Sequence, residues 1–426
     1  MLTAIFTTKP LGFSQDIPQT ANPEKGSLDT NGSSQTPESR VQASSDDIVT
    51  ILQGIVPNLP KILLDQDRIV ATAAAISTNV IAPLFRSRSF PHNISKNTLK
   101  LLQGLSKLPA AHKSWRRDFT DGFNDSKFFS TSLELVEVGW LPLLKQWVSA
   151  DKDRIPDLIS RLTAPTSAGI MFGVGASSAR LEADRKTQLN LRRIALIILA
   201  APEDSFVSNL RALEEKLIEL MTATAASSPS SATQAEVYMV LRALLLTTSA
   251  VHLSSLWPAI NFELQPAISA VLPGERHGVY NDLSILQACK LLDLLLTLAP
   301  EAFQLHEWLF ITDTIDAVYK PSNWTPVALA DRLSERLGST AGSTPSSYIP
   351  VASPMNVPHG RRKPLLNLID TKVASTEDLV ASVLKPFLSQ LSIYAFESTY
   401  GMGEADREAC VKGLLADLFD DTTMAG

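Results

Sequence analysis

The sequence predicts an all-α protein, an irregular HEAT-like helical array with no β-sheet, and three observations carry that prediction. Hydrophobic residues make up 45% of the 426 residues and aromatic ones only 7%, a Leu- and Ala-rich balance that suits helix packed on helix. Apolar residues recur at steps of three and four through one segment after another, and no convincing run alternates residue by residue. The third observation is Ala235 to Tyr319, an apolar stretch broken only by Pro273-Gly274 and a short polar loop before Asp282. In its densest part Ile285, Cys289, Leu292, Leu296 and Ala299 form a stripe, and Leu286, Leu291, Leu294, Leu295 and Leu298 fill in beside them. Only Gln287, Lys290 and Thr297, with Asp293 at the edge, are polar. So narrow a polar face must be covered from several sides, because each wet Leu costs about 1.5 to 3 kcal/mol. No repeat of fixed length is found, so the sequence does not support a regular tetratricopeptide or ankyrin solenoid.

Taken in order, residues 1–47 are rich in Ser, Thr, Pro, Asn, Gln and Gly and are expected to be disordered, because they cannot repay the entropy of ordering. Residues 48–222 form an N-terminal helical part. In it Ser45-Asp46-Asp47 caps a helix bearing Ile48, Ile51, Leu52 and Ile55, and a second runs from Asp65 to Phe85 with Pro83 bending its last turn. Leu99, Leu102 and Leu105 mark a third. Lys113 to Phe129 alternates aromatic and basic residues before a turn at Asp121-Gly122 and reads as a functional surface. A stripe of Leu133, Val136, Trp140, Leu144 and Trp147 follows, with a kink at Pro142. Asp157 to Leu162 makes a short turn of helix, and Ala179 to Ala200 a long one capped by Ser177 or Ser178. Phe206 to Met221 and a small polar linker end this part. Residues 233–337 form the central apolar core, 338–364 a flexible loop carrying Arg361-Arg362-Lys363, and 365–420 two closing helices.

The search for chemistry leaves little. Net charge is −6, from 38 basic and 44 acidic residues, which argues against a general nucleic-acid binder. Two cysteines, Cys289 and Cys410, make neither a disulfide framework nor a zinc set, and the six histidines show no ligand spacing. The glycine-rich loop Gly169 to Gly175 lacks the preceding strand and the Lys-Ser/Thr pair of a nucleotide loop, and reads as a flexible or packing loop. No nucleophile elbow occurs, so neither an enzyme nor a cofactor is expected. No export signal is seen, and charges interrupt the greasiest segments, Leu244 to Ala259 and Leu291 to Ala299; the chain is expected to touch membranes from outside. Two basic clusters could contact anionic headgroups or a partner: Lys113, Trp115, Arg116 and Arg117, and Arg180, Arg185 and Lys186. Arg192 and Arg193 could equally pair with carboxylates on neighbouring helices. The spacing of Ile285, Cys289, Leu292, Leu295 and Leu296 suggests a zipper, but two heptads with Leu on the flanks read better as core.

Three stretches, Met171 to Lys186, Glu236 to Leu264 and Leu286 to Tyr319, resemble the C-terminal region of the Dopey family, and the resemblance extends over about Ile48 to Phe419. It implies a non-enzymatic helical scaffold, a peripheral membrane protein in vesicle-mediated protein transport between endosomes and the late Golgi. The partners implied are a large HEAT-repeat scaffold related to Arf exchange factors and an aminophospholipid flippase, on the cytosolic face of Golgi and endosomal membranes and in the cytosol. Family members are several times longer, so the chain is expected to correspond to their C-terminal portion. Zipper-like segments of the family would fall on Leu283 to Leu298. The alternative reading is direct recognition of phosphoinositide or other anionic lipid by the Arg and Trp clusters.

Overall fold

A computed structural model describes residues 37–108, 112–150, 154–162, 176–222, 231–272, 280–312, 325, 327–340, 361–368, 374–401, 403–420 and 423. The described residues are helical and contain no strand, only an isolated parallel bridge between Arg362 and Ala405. The Gly169–Gly175 loop lies outside them, as do 223–230, 313–324 and 341–360. The chain forms two compact units, Met1–Leu143 and Leu144–Gly426. This division falls well before the linker expected after residue 222.

In the first unit, α1 (Pro37–Ile55) begins eleven residues ahead of its expected start at Ile48, inside the stretch expected to be disordered. Pro37 takes the first helical position, where its missing N–H is no loss and its fixed φ suits the helix. The next helix, α2 (Gln66–Phe85), is capped by Asp65, whose carboxylate accepts from Asp67 N at 3.0 Å. Ser95 caps α3 (Lys96–Ser106), accepting from Thr98 N at 3.2 Å. In α4 (His112–Asn124), Trp115, Phe119 and Phe123 stand four residues apart and are buried together with Phe128, Phe129 and Trp140. Their rings meet mostly edge to face, Phe128 lying 4.8 Å from Trp140 between centroids. The expected turn at Asp121-Gly122 is a correction: Gly122 lies within α4. The Phe85 ring packs so closely there that an added Cβ would stand 2.4 Å from it, so a larger residue would force that ring to move. Helix α5 spans 133–150 and passes from this unit into the next.

The second unit is a stack of helix pairs. In it α6 (Arg154–Ser160) packs on α7 (Ala176–Ala200), α8 (Val207–Thr222) on α9 (Ser231–Thr247), and α10 (Trp257–Ser269) on α11 (Asp282–Leu298). A fourth pair joins α12 (Leu329–Thr340) to α13 (Thr376–Tyr400). The second members of the pairs, α7, α9, α11 and α13, pack on one another in succession, which is the layering of an α-solenoid. The last helix, α14 (Arg407–Leu418), packs across α7 and α9 instead of extending the stack. The densest apolar stretch of the sequence is thus α11, sandwiched in the middle of a layer. A capping box between Asn281 and Ser284 starts it, and Ala299, at φ 45°, ends it before Pro300. The expected loop at 338–364 starts later, because α12 continues to Thr340.

Three helices share one irregularity. Helices α2, α5 and α13 widen to π geometry over Ser77–Ile81, Val136–Trp140 and Leu379–Leu384, and each widening ends two residues before a proline: Pro83, Pro142 and Pro386. Proline has no N–H for the carbonyl four residues back, and its ring pushes that carbonyl away, so the preceding turn relaxes to a wider ladder. The carbonyl that Pro142 leaves without a donor, on Val138, accepts from Gln103 Nε2 at 3.2 Å instead. Two of these helices, α2 and α13, are long and apolar enough to cross a membrane, with 39% and 44% of the relevant window buried inside the fold.

Candidate functional site

The aromatic and basic stretch around Trp115 faces inward. Trp115 is 1% exposed and edge-on to Phe119 at 5.8 Å, so it cannot sit at a headgroup interface as the lipid reading required. Its spacing with Phe119 and Phe123 is the period of a buried helix face, and that period outweighs the apparent alternation with charges. Arg116 is half-buried and Arg117 exposed, while the Lys113 and Arg180 side chains fall outside the described residues. On α7, Arg185 and Lys186 are exposed, and Lys186 pairs with Glu182 one turn earlier at 2.7 Å, as on a solvated helix face. Ile285, Cys289, Leu292, Leu295 and Leu296 are all buried within the α11 layer, and burial pushes the Cys289 thiol far above its ordinary range. A thiol so held is an inert core residue.

The second half of α7 carries a cation that the sequence left with two readings. Arg192 is 0% exposed and donates through Nε to Glu236 Oε1 at 2.8 Å. Its other nitrogens reach the carbonyls of Leu418 and Asp420, at 2.8 and 2.9 Å, and the Thr423 hydroxyl at 2.5 Å. One guanidinium therefore ties α7 to α9 and takes up the end of α14. From α9, Arg242 Nη1 donates to Asp417 Oδ2 at 2.6 Å and Gln287 Oε1 at 2.7 Å, and from α11 Lys290 Nζ reaches Asp417 Oδ1 at 2.5 Å. Three consecutive members of the layer thus each supply a cation to the same helix terminus, where positive charge also complements the macrodipole. Next along α11, Asp293 accepts from the backbone N–H groups of Leu365 and Leu366, at 3.0 and 2.7 Å.

Electrostatics separates these carboxylates. Burial pushes Glu236 up to about 7 even against Arg192, and burial likewise pushes Asp293 up to about 7 against its two backbone donors. Burial also raises Asp417, but Arg242 and Lys290 outweigh it and hold that carboxyl below its ordinary value. None of these groups lines the cleft described next; most of their polar atoms bond one another or backbone, while Glu236 Oε2 and Arg242 Nε are buried without a hydrogen-bond partner. Among the described residues no group of His, Cys, Asp and Glu could hold a metal ion. The cluster fastens helices together; the polar stripe on α11 that the sequence displayed is where it attaches.

An open surface lies on the far side of α11's neighbour α13. A cleft of about 230 Å³ runs between the last turns of α13 and the segment following α11, lined by Trp308, Ile311, Ala395, Phe396 and Tyr400 with Gln304, Glu307, Thr312, Ser392 and Thr399. Trp308 is 58% exposed and Tyr400 67%, and the Phe396 and Tyr400 rings lie 5.0 Å apart. Sequence reasoning passed over this place, because Trp308 and Phe396 each stand inside ordinary helical periodicity. The available signal was Ile393, Phe396 and Tyr400 at steps of three and four on the face opposite the stripe of Leu384, Phe387, Leu391 and Tyr394.

Comparison with known proteins gives a consistent result. A family model for the C-terminal region of DOP1 matches residues 3–401. The chain is 49% identical over 425 residues to Protein dop1 of Emericella nidulans, covering 100% of this chain and 22% of that protein. It is 26% identical over 379 residues to Protein DOP1 of Saccharomyces cerevisiae, covering 86% of this chain and 21% of that one. Protein DOP1B of Xenopus laevis is 26% identical over 244 residues, covering 50% of this chain and 10% of that protein. The chain thus spans about a fifth of the length of the first two relatives, and no solved structure matches it.

Proposed function

This chain belongs to the DOP1, or Dopey, family, and from that premise we propose that it is a non-enzymatic helical scaffold acting in vesicle-mediated protein transport between endosomes and the late Golgi. It works there as a peripheral membrane protein, on the cytosolic face, through protein partners. The observation that supports this reading is the stack of helix pairs in the second unit, whose buried ionisable groups are consumed in holding helices together. A stack of that kind offers extended surface to other proteins, and surface is what a scaffold needs. The partners this reading names are a large HEAT-repeat scaffold related to Arf exchange factors and an aminophospholipid flippase. Direct lipid binding through Trp115 and its arginines has less support, since the indole is in the core.

The test is immunoprecipitation of the tagged full chain from cell lysate together with imaging. Recovery of the large HEAT-repeat partner with punctate Golgi and endosomal signal is expected. A diffuse cytosolic signal with no partner recovered would overturn the reading.

A further inference from the structure

We infer that the face of α7 and α9 beneath α14 is a helix-docking groove, that α14 is its built-in occupant, and that a partner helix with an apolar face and an acidic last turn takes α14's place. This deepens the scaffold reading and rests on it. The layout comes first. The stack of pairs runs from α6 to α13 without α14, which lies across α7 and α9 instead of adding to it. The stretch that the family model matches takes in α7, α9 and α11 and ends at residue 401, ahead of α14. Floor and cover are thus separate along the chain, the cover following α13 through Gly401 to Asp406.

The chemistry of the floor then selects the occupant. On α14 the residues Cys410, Leu414, Leu415 and Leu418 are buried on one helical face, and Asp417 stands in the last turn beside them. Arg192 takes the carbonyls of Leu418 and Asp420, while Arg242 and Lys290 take Asp417. Three cations at that end of the groove reject a helix with Lys or Arg in its last turn and accept one with Asp or Glu there. Apolar contacts at helical spacing ahead of them call for a helix and not a lipid headgroup. The fit of α14 is incomplete. Asp417 gives Arg242 one oxygen, at Nη1, and spends the other on Lys290, so that Arg242 Nε is buried without a hydrogen-bond partner. Arginine binds carboxylate best through two parallel N–H groups, and a buried donor left unpaired weakens the contact around it. A partner helix that brings a second carboxylate to Nε is the better occupant. The advantage of α14 is its tether, since a short linker holds it at an effective concentration on the order of millimolar.

The experiment opens the groove in the full chain and refills it. Asp417→Lys sets a cation against the floor, and Asp417→Asn removes the charge alone; circular dichroism and a cooperative thermal transition check that the variants remain folded. A fluorescent peptide of residues 404–423 is expected to bind the Asp417→Lys chain at least about tenfold more tightly than wild type, with Asp417→Asn between them. Adding Arg242→Met to the opened chain should weaken that binding about tenfold or more. Helix-forming peptides panned against the opened chain should carry apolar residues at helical spacing and paired acidic residues in the last turn, and should bind more tightly than the native peptide. The proposal is overturned if the peptide binds wild type and both variants alike, if it binds neither variant, if Arg242→Met leaves its binding intact, or if the selected peptides are basic. Loss of the cooperative transition in both variants would make α14 part of the core and overturn it too. So would displacement of the peptide by phosphatidylserine vesicles, since a lipid headgroup then holds the groove. Immunoprecipitation of the wild-type chain separates the two levels. If the peptide does not bind but the HEAT-repeat partner is still recovered, the groove is wrong and the scaffold stands; if no partner is recovered, the scaffold reading falls.

Discussion

The seam under α14 and the cleft beside α13 belong to the same unit and use opposite materials. The seam is built of charge: Arg192, Arg242 and Lys290 from three successive helices converge on Asp417 and on the carbonyls of Leu418 and Asp420, all within hydrogen-bond distance. The cleft is built of aromatic rings left in water. Ionisable groups are what one expects on a surface and aromatic rings in a core, so both places invert the usual rule. Their inversion has one physical reading. Buried charge is tolerated where each group finds a partner, and it then registers helices against one another; the aromatic surface of the cleft is left exposed among the described residues.

The largest expected effect tests the layer that supports both. Leu295→Asp places an unpaired carboxylate at a fully buried position of α11, at a cost of several kcal/mol, comparable with the stability of a domain. The expected outcome is loss of the cooperative thermal transition. A soluble variant with unchanged circular dichroism and melting temperature would mean that α11 is not the interior helix described here.

Arg192→Met comes next. It strands Glu236 and two carbonyls, and breaking a buried pair from one side costs about 3 to 5 kcal/mol. Urea denaturation should report that loss, and amide exchange should localise it by accelerating 407–418. Adding Glu236→Met should restore a large part of the stability but leave α14 exchanging fast, because the carbonyls still lack their donor. Equal protection of α14 in wild type and variant would show that the seam does not fasten it.

The seam also titrates. Glu236 and Asp293 hold their protons up to about 7 in the folded chain and release them in the ordinary carboxylate range when unfolded. Between those values the folded state binds more protons, so stability falls as pH rises from about 4 to 7 and levels off above. Asp417, displaced downward, loses its contribution only in stronger acid and does not oppose this trend. The unfolding free energy from urea titration should be higher at pH 6 than at pH 8, by about 1 kcal/mol for each raised group. A midpoint that rises with pH would mean that Arg192 keeps Glu236 ionised throughout.

The smallest effect belongs to the cleft. Phe396→Ser and Trp308→Ala remove rings that are 43% and 58% exposed, so stability should fall by only about 1 kcal/mol each while solubility rises. A large drop in melting temperature would place these rings in the core and erase the contrast with the seam.

How much of this was legible beforehand varies from element to element. The steps of three and four around Ile285 and Leu292 identified a helix covered from more than one side, because burial on several faces leaves its trace in a single segment. Pro83 and Pro142 announced irregular helices for an equally local reason, the missing N–H, though not that the ladder would widen ahead of them; Pro386 went unread. The family, too, was recognisable from contiguous stretches. Trp115 was misread because alternating rings and charges look alike on a surface and on a buried face until the helix phase of Phe119 and Phe123 is taken into account. The destination of Arg192 was beyond the sequence altogether: Glu236 lies in the next pair of helices, and Leu418 and Asp420 lie 226 and 228 residues away. The sequence by itself determined most of the helices, the interior face of α11 and the family, since period and composition act over a few turns. Only the tertiary structure decided which charges meet and which aromatic rings remain uncovered, because those outcomes depend on distances between segments far apart along the chain.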